Sequence, residues 1–181
     1  MAANLAQMTV EEFERLPQGD RKLELSDGVL VEVEMARAEH ELVKMGFNLV
    51  LVTALAGSEF VVAPEALSRL GPSTSRVSDL AIWRRSELRK MDRERTMVGG
   101  PLIAIEVVSS EPAEDLEEKI QQYFAAHTKA VWAVYPRTRA VVVQRPESIQ
   151  RLTVRDVLQA PDLIPGLNIQ VSDIFALLDE S

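Results

Sequence analysis

Two short apolar segments, VSDLAIW at 77–83 and PLIAIEVV at 101–108, constrain the fold of this chain most. Both are rich in aliphatic and β-branched residues and have the length of a strand, so they predict buried strands of a central sheet. Each carries one carboxylate, Asp79 or Glu106, on a face that is otherwise apolar. Because burial of an unpaired carboxylate costs several kcal/mol or forces it to take up a proton, these acids need a partner.

The elements around these strands predict one α/β domain over 1–181, with residues 1–8 as a frayed tail. Thr9-Val10-Glu11-Glu12 indicates a capping box that opens a short helix, and Asp27-Gly28 between two alternating segments predicts a β-hairpin. Helical periodicity follows over about 39–56 and 113–127, and a second hairpin follows the last of these helices. This order is not an alternating βαβα series, so we expect a mixed central sheet flanked by helices rather than a Rossmann fold or a barrel.

Composition excludes several classes of site. The chain has no cysteine, which removes disulfides, thiol catalysis and cysteine-ligated zinc and favours a cytoplasmic location. Its two histidines, His40 and His127, are too few for a multi-histidine metal site. The phosphate loops GxxxxGK[ST] and GxGxxG, the GxSxG elbow and HExxH are absent. The longest charge-free apolar stretch, 45–58, has 14 residues, fewer than a membrane span needs, so no membrane partner is expected.

A divalent cation between Asp79 and Glu106 would relieve the repulsion of two buried acids on neighbouring strands. Mg²⁺, with Mn²⁺ as a substitute, suits two carboxylates, a backbone carbonyl and several waters. Lys119 flanks the apolar stripe of the second long helix, and its stem can carry the ammonium to these carboxylates. There it could orient a water and stabilise negative charge, with Glu24 as a fourth candidate acid. The alternative is a structural ion pair without metal.

Charge bears on the choice of partner. The net charge of −8 opposes binding of nucleic acid by bulk electrostatics, so such a partner needs a local basic patch or a metal. The connector 84–95 contains six basic and three acidic residues, and Arg84 and Arg85 in it are candidate phosphate contacts. A solvated loop is the alternative for this connector. His40, at the start of the first long helix, is expected at the surface or beside the site as a substrate contact.

The ordered set LELSDGVLVE, Glu39-His40, SDLAIW, IEVVSS, DLEEKIQQY and VWAVYP resembles the Uma-two (Uma2) family from about Thr9 to Phe175. The resemblance implies a restriction-endonuclease-like fold of the PD-(D/E)XK type and Mg²⁺-dependent hydrolysis of phosphodiester bonds in DNA. It implies that Asp79, Glu106 and the Val107 carbonyl hold the metal, that Lys119 positions the attacking water, and that Glu24 lies near the same site.

Three positions depart from the family pattern. Val108 stands where the strand lysine of (D/E)XK is expected, and the family displaces that lysine to the following helix, which matches Lys119. Ser78 replaces the proline of the PD element, and Tyr135 replaces an acid. A homodimer is expected because cleavage of a duplex needs two sites. Two alternatives stay open: a non-catalytic binding or assembly module on the same fold, and a hydrolase of small phosphate esters.

Overall fold

The computed structural model describes residues 7–17, 22–33, 37–92, 96–109 and 112–179. In chain order the described elements are α1 (Val10–Phe13), β1 (Leu23–Ser26), β2 (Val29–Glu32), α2 (Ala38–Ala54), β3 (Phe60–Arg69), β4 (Ser75–Arg84), α3 (Arg85–Leu88), β5 (Met97–Val98), β6 (Ile103–Val107), α4 (Ala113–Ala125), β7 (Ala130–Tyr135), β8 (Ala140–Arg145), β9 (Ser148–Thr153), β10 (Val157–Leu158), β11 (Ile169–Gln170) and α5 (Val171–Ile174), with 3₁₀ turns at Pro136–Thr138 and Ala176–Leu178.

A nine-stranded mixed sheet forms the centre, in the order β2-β1-β4-β6-β7-β8-β9, with β3 paired to both β4 and β5. The β6–β7 and β3–β5 pairs are parallel, and the other pairs in this sheet are antiparallel. Strand β3 pairs with β4 from Phe60↔Arg84 to Arg69↔Ser75 and so fills one edge of β4. The other edge of β4 is shared by two strands, β1 and β6.

The two long helices cover opposite faces of the sheet because each presents one apolar stripe. On one face, α2 buries Val43, Phe47 and Leu51 in the main core, where Phe47 stacks on Trp132 with ring centroids 6.1 Å apart. On the other face, α4 packs its own stripe against the small strand residues of β6 and β7. That second cluster consists of Leu116, Ile120, Tyr123, Ala104, Val131 and Ala133.

The predicted fold class, α/β with a restriction-endonuclease-like mixed sheet, an N-terminal helix and a β-hairpin, is confirmed in this architecture. The capping box is present between Thr9 and Glu12. Asp27 and Gly28 both have positive φ, 45° and 87°, as a tight hairpin turn requires. Strand β3 runs to Arg69 because it pairs with the whole of β4.

The expected frayed tail is wrong for its last residue. The Met8 N–H donates to the Gly28 carbonyl at 3.0 Å, and the Met8 side chain packs beside Val10, Phe13 and Leu25. This start of the chain is therefore fastened to the first hairpin. Residues 1–6 of the predicted tail lie outside the described residues. Within the described part of the chain, no helix combines the length and apolar character that crossing a bilayer requires.

Candidate active site

The candidate site lies on the edge of β4 where its neighbouring strand changes from β6 to β1. The β4–β6 ladder ends at Leu80↔Ile105, and β1 joins β4 only at Leu25↔Ser75. Between these pairs, the backbone of β4 around Val77 and that of β6 at Val107 face an open fork. Because buried N–H and C=O groups need partners, side chains must satisfy them here. Three of the predicted site residues do so.

Glu24, Lys119 and Asp79 replace the missing ladder bonds. The Val77 N–H donates to Glu24 Oε1 at 2.9 Å, and Lys119 Nζ donates to the Val77 carbonyl at 2.8 Å. Across the fork, the Val107 N–H donates to Asp79 Oδ2 at 2.7 Å. Acids in the middle of apolar strands are thus explained by backbone geometry, since they fill the hydrogen-bonding gap that a forked sheet leaves.

Lys119 joins the carboxylates of the fork. Its Nζ lies 2.9 Å from Glu106 Oε2 and 3.2 Å from Glu24 Oε1, besides the bond to the Val77 carbonyl. An ammonium has three protons, of which two make hydrogen bonds, to Glu106 and to the Val77 carbonyl, while Glu24 is an ion-pair partner. The predicted path of the lysine stem along the sheet is therefore observed. Burial alone would lower the pKa of Lys119, but the charges of Glu106 and Glu24 raise that pKa well above its usual range.

Glu106 is the acid of the group whose ionisation is least favourable. Its side chain is 6% exposed, and its second oxygen, Oε1, accepts a hydrogen bond from the buried Tyr123 hydroxyl at 2.8 Å. Burial, together with repulsion by Asp79 and Glu24, outweighs the attraction of Lys119 and raises the pKa of Glu106 to about 7. Burial and the neighbouring Glu106 also raise the pKa of the Tyr123 hydroxyl well above its usual value.

Asp79 and Glu24 remain ionised instead. Burial opposes charge on Asp79, but the hydrogen bond and charge of His40 and the Val107 N–H hold its pKa below the usual value. Burial also opposes charge on Glu24, and here Lys119, the Val77 N–H and Arg76 together lower the pKa. One buried acid with a raised pKa beside two with lowered pKa values is a pattern that functional sites use.

The donor set fits a hard divalent cation. Asp79 Oδ2 contacts His40 Nε2 at 3.1 Å and accepts from the Val107 N–H at 2.7 Å. The N–H and C=O of one strand residue point to the same edge, so the Val107 carbonyl also faces the fork. The described residues contain no group of three or more His, Asp or Glu side chains set around one metal position. Mg²⁺ is compatible with such a site because it commonly takes one or two carboxylates and keeps several waters.

His40 belongs to this site and not to the open surface. It lies in the first turn of α2, is 8% exposed, and its Nε2 is 3.1 Å from Asp79 Oδ2. Burial lowers the pKa of the ring, but Asp79 raises it above its usual value overall. His40 Nδ1 is buried without a hydrogen-bond partner among the described residues. Helical periodicity could not show this, because the face of a first-turn residue depends on how the helix docks.

Arg84 and Arg85 are not brought to the fork. They lie at the far end of β4, where Arg84 pairs with Glu59 at 3.0 Å and Arg85 donates to the Ser58 carbonyl at 3.0 Å. Five residues of strand separate Arg84 from Asp79, a distance of about 17 Å. The connector that begins with these arginines forms the short helix α3, and its residues 93–95 lie outside the described residues.

Two further residues of the site were not singled out in the sequence. Arg76 is 5% exposed, and its Nη1 donates to Glu24 Oε2 at 3.0 Å. Tyr123 is buried in the apolar stripe of α4, and that pattern does not show that its hydroxyl contacts Glu106. A signal for Arg76 existed, since an arginine inside a strand that is otherwise buried needs an acid partner.

Comparison with protein families decides the relationship of the chain. The family model Uma2, described as "Putative restriction endonuclease", matches residues 10–172. The chain belongs to the Uma2 family. The match spans α1 to α5 and therefore contains every residue of the fork. A search of curated proteins finds no match.

A solved structure is similar to this Uma2 protein over nearly its whole length. It is described as a "putative nuclease belonging to DUF820" from Anabaena variabilis. The two chains superpose with a TM-score of 0.82 at 18% sequence identity, covering 94% of this chain and 99% of the other. At this identity the likeness shows that the two proteins share a fold.

Proposed function

We propose that this Uma2 protein is a metal-dependent endonuclease that hydrolyses phosphodiester bonds in DNA. The observation that carries the proposal is the fork between β4 and β6, where Asp79 accepts from the Val107 N–H at 2.7 Å and Lys119 Nζ lies 2.9 Å from Glu106 Oε2. The description of the family as a restriction endonuclease and that of its structural neighbour as a nuclease support the same chemistry.

Asp79, Glu106 and the Val107 carbonyl would hold Mg²⁺, with Mn²⁺ as a substitute. When bound, the ion supplies a Lewis acid for the phosphate and lowers the pKa of a bound water. The charges of the fork support this assignment, because Glu24 and Glu106 share the ammonium of Lys119, and Asp79 and Glu24 still repel Glu106. A bound cation would reduce that repulsion.

The chain's own residues complete the chemistry. Lys119 keeps an ammonium beside the attacked phosphate, where it stabilises the negative charge of the transition state. Its contact with Glu24, at 3.2 Å, is the longest of its three, so the proton on that side is the one that turns to the attacking water. His40 and the Val107 N–H fix the orientation of Asp79. In the reaction, a water oxygen bonds to phosphorus and gives up a proton to solvent, while one P–O ester bond breaks and the leaving oxygen takes up a proton.

The proposal includes a homodimer, since two strands of a duplex need two sites, and a cytoplasmic location, which the absence of cysteine supports. The main observation against DNA as the substrate is the net charge of −8, which disfavours binding of a polyanion. The alternative of a non-catalytic module is favoured by one observation: both oxygens of Glu24 and both of Glu106 already have partners, as in a structural ion-pair network.

Cleavage of supercoiled plasmid DNA with Mg²⁺ tests the proposal. We expect cleavage by the wild type, and its loss by at least about a hundredfold in Asp79→Asn and Lys119→Met, because each variant removes a group that acts on the phosphate or its metal. Lys129→Met is the matched control, since Lys129 is exposed and lies outside the fork.

Three outcomes would contradict the proposal. Equal cleavage by Lys119→Met and the wild type would show that the fork does not perform the reaction. No cleavage of supercoiled, linear or single-stranded DNA with either Mg²⁺ or Mn²⁺ would favour the non-catalytic module. Hydrolysis of bis(p-nitrophenyl) phosphate without cleavage of DNA would favour a hydrolase of small phosphate esters.

A further inference from the structure

A second polar cluster lies beside the fork, and three of its donors meet at one oxygen of Glu118. One of them, Gln122 Nε2, also donates to Asp27 Oδ2 at 3.0 Å. Arg76 Nη2 on β4 donates to Glu118 Oε1 at 3.2 Å, and Gln122 Nε2 on α4 donates to the same oxygen at 3.1 Å. The Ser26 hydroxyl, at the end of β1, also donates to it. We refer to Ser26, Arg76 and Gln122 as the cradle. Three donors aimed at one anionic oxygen form an anion-binding arrangement.

The cradle is held together without Glu118. Arg76 Nε donates to Gln122 Oε1 at 2.7 Å, and Arg76 Nη2 donates to Ser26 Oγ at 2.7 Å. Gln122 Nε2 donates to Ser26 Oγ at 2.9 Å. The Arg76 side chain is only 7% exposed, and its Nη1 is anchored on Glu24. The donors therefore stay in position if the carboxylate leaves.

Glu118 can leave at small cost. Its side chain is 52% exposed, and the ion pair of an exposed carboxylate contributes little to stability. Once Glu118 turns to water, the cradle presents a planar guanidinium and two neutral donors. The Arg76 Nη2 N–H that Glu118 accepted is then available to a phosphate oxygen as a charge-assisted donor, while Nε stays bonded to Gln122 and Nη1 to Glu24.

The position of the cradle connects it to the proposed chemistry. Glu24 lies between the two clusters, because its Oε2 accepts from Arg76 while its Oε1 contacts Lys119 Nζ at 3.2 Å. Glu118 also precedes Lys119 directly in α4. A phosphate in the cradle would thus be separated from the ammonium of the fork by a single carboxylate.

We infer that the cradle binds a phosphate group of the nucleic acid that neighbours the scissile one, and that Glu118 fills the cradle as an internal competitor when substrate is absent. This inference rests on the proposed nuclease function for the identity of the ligand. It assigns to Ser26, Arg76 and Gln122 the role of a substrate subsite, and to Glu118 the role of a displaceable substitute for phosphate.

Binding without metal tests the inference in the full chain. Dissociation constants are measured in EDTA at one fixed salt concentration, for inorganic phosphate and for a labelled DNA duplex of about 12 base pairs. We expect Glu118→Ala to bind both probes about tenfold more tightly, because the competitor for a charge-assisted contact is gone. Glu117→Ala is the matched control: it removes the same charge one residue away, where the described contact of Glu117 is with Gln121. We expect about a twofold gain or less.

A second variant shows whether the gain belongs to the cradle. Adding Gln122→Leu to Glu118→Ala removes one donor, so most of the gain should disappear. Equal gains for Glu118→Ala and Glu117→Ala would overturn the inference, as would a gain for inorganic phosphate without one for the duplex. A marked loss of thermal stability in Glu118→Ala would also overturn it, by making Glu118 a structural partner of Arg76. Because neither metal nor cleavage enters these measurements, an inactive protein that still shows the gain would refute the nuclease proposal alone.

Discussion

The ionisation of Glu106 makes a direct prediction about stability. Glu106 is buried beside Asp79 and Glu24, and its pKa is raised from 4.5 to about 7. An acid whose pKa is higher in the folded than in the unfolded state keeps a proton that the unfolded chain releases. The protein must therefore lose stability as the pH rises from about 4.5 to about 7. The proton on Glu106 contributes fully to the free energy of unfolding only below that range. At about 1.4 kcal/mol per pKa unit, the loss is about 3 kcal/mol.

The variant Glu106→Gln isolates this effect because it keeps the shape of the side chain and removes the charge. We expect the wild type and Glu106→Gln to have similar free energies of unfolding near pH 5, where Glu106 holds a proton. At pH 8 the variant should be more stable by about 3 kcal/mol. Urea denaturation in EDTA at pH 5, 6, 7 and 8 measures the difference. Glu117→Gln, an exposed carboxylate on the same helix, should show no such divergence.

The opposite result would refute the reasoning. If Glu106→Gln is less stable than the wild type at pH 8, the ion pair with Lys119 outweighs the cost of burial and repulsion. Glu106 would then be a structural partner of Lys119, and the electrostatic argument for a cation between the acids would fail. Parallel curves at all four pH values would show that the pKa of Glu106 is not raised.

Two further predictions concern the partners of Glu106. Lys119→Met should lower the free energy of unfolding by about 3–5 kcal/mol, because it leaves two buried carboxylates without their shared cation. Adding Glu106→Gln should restore part of this loss in urea denaturation, and no restoration would contradict the coupling. Tyr123→Phe should cost about 1–2 kcal/mol by removing the hydroxyl that donates to Glu106. It should also move the pH-dependent loss of stability upwards, because the carboxylate loses a donor, and an unmoved transition would refute that link.

Local signals in the sequence predicted much of this fold. The capping box at Thr9, the hairpin at Asp27-Gly28 and the apolar stripe of α4 depend on neighbouring residues, so a single chain shows them. The long pairing of β3 with β4 and the short strands β10 and β11 depend on pairing between separate segments, and alternation within one segment does not predict them.

The residues of the candidate site also fall into those that the sequence indicates and those that only the fold reveals. Asp79 and Glu106 were conspicuous because acids interrupt apolar strands, and Lys119 because it flanks an apolar stripe. Arg76 and Tyr123, and the contact of the candidate His40 with Asp79, became visible only when their elements were docked. Their roles depend on which atom of the side chain faces the fork, and periodicity reports burial alone. The fork itself arises because β1 and β6 share one edge of β4, which is a property of the whole sheet.

Calorimetric titration with Mn²⁺ tests the central claim, a metal held at the fork, most directly. Wild-type protein, Glu106→Gln and the control Glu117→Gln are titrated under the same conditions at pH 8. The proposed site predicts saturable binding in the wild type and in Glu117→Gln, and its loss in Glu106→Gln. Equal binding by all three, or no binding by the wild type, would contradict a metal site at Asp79 and Glu106 and leave their contacts with Lys119 and His40 as a structural network.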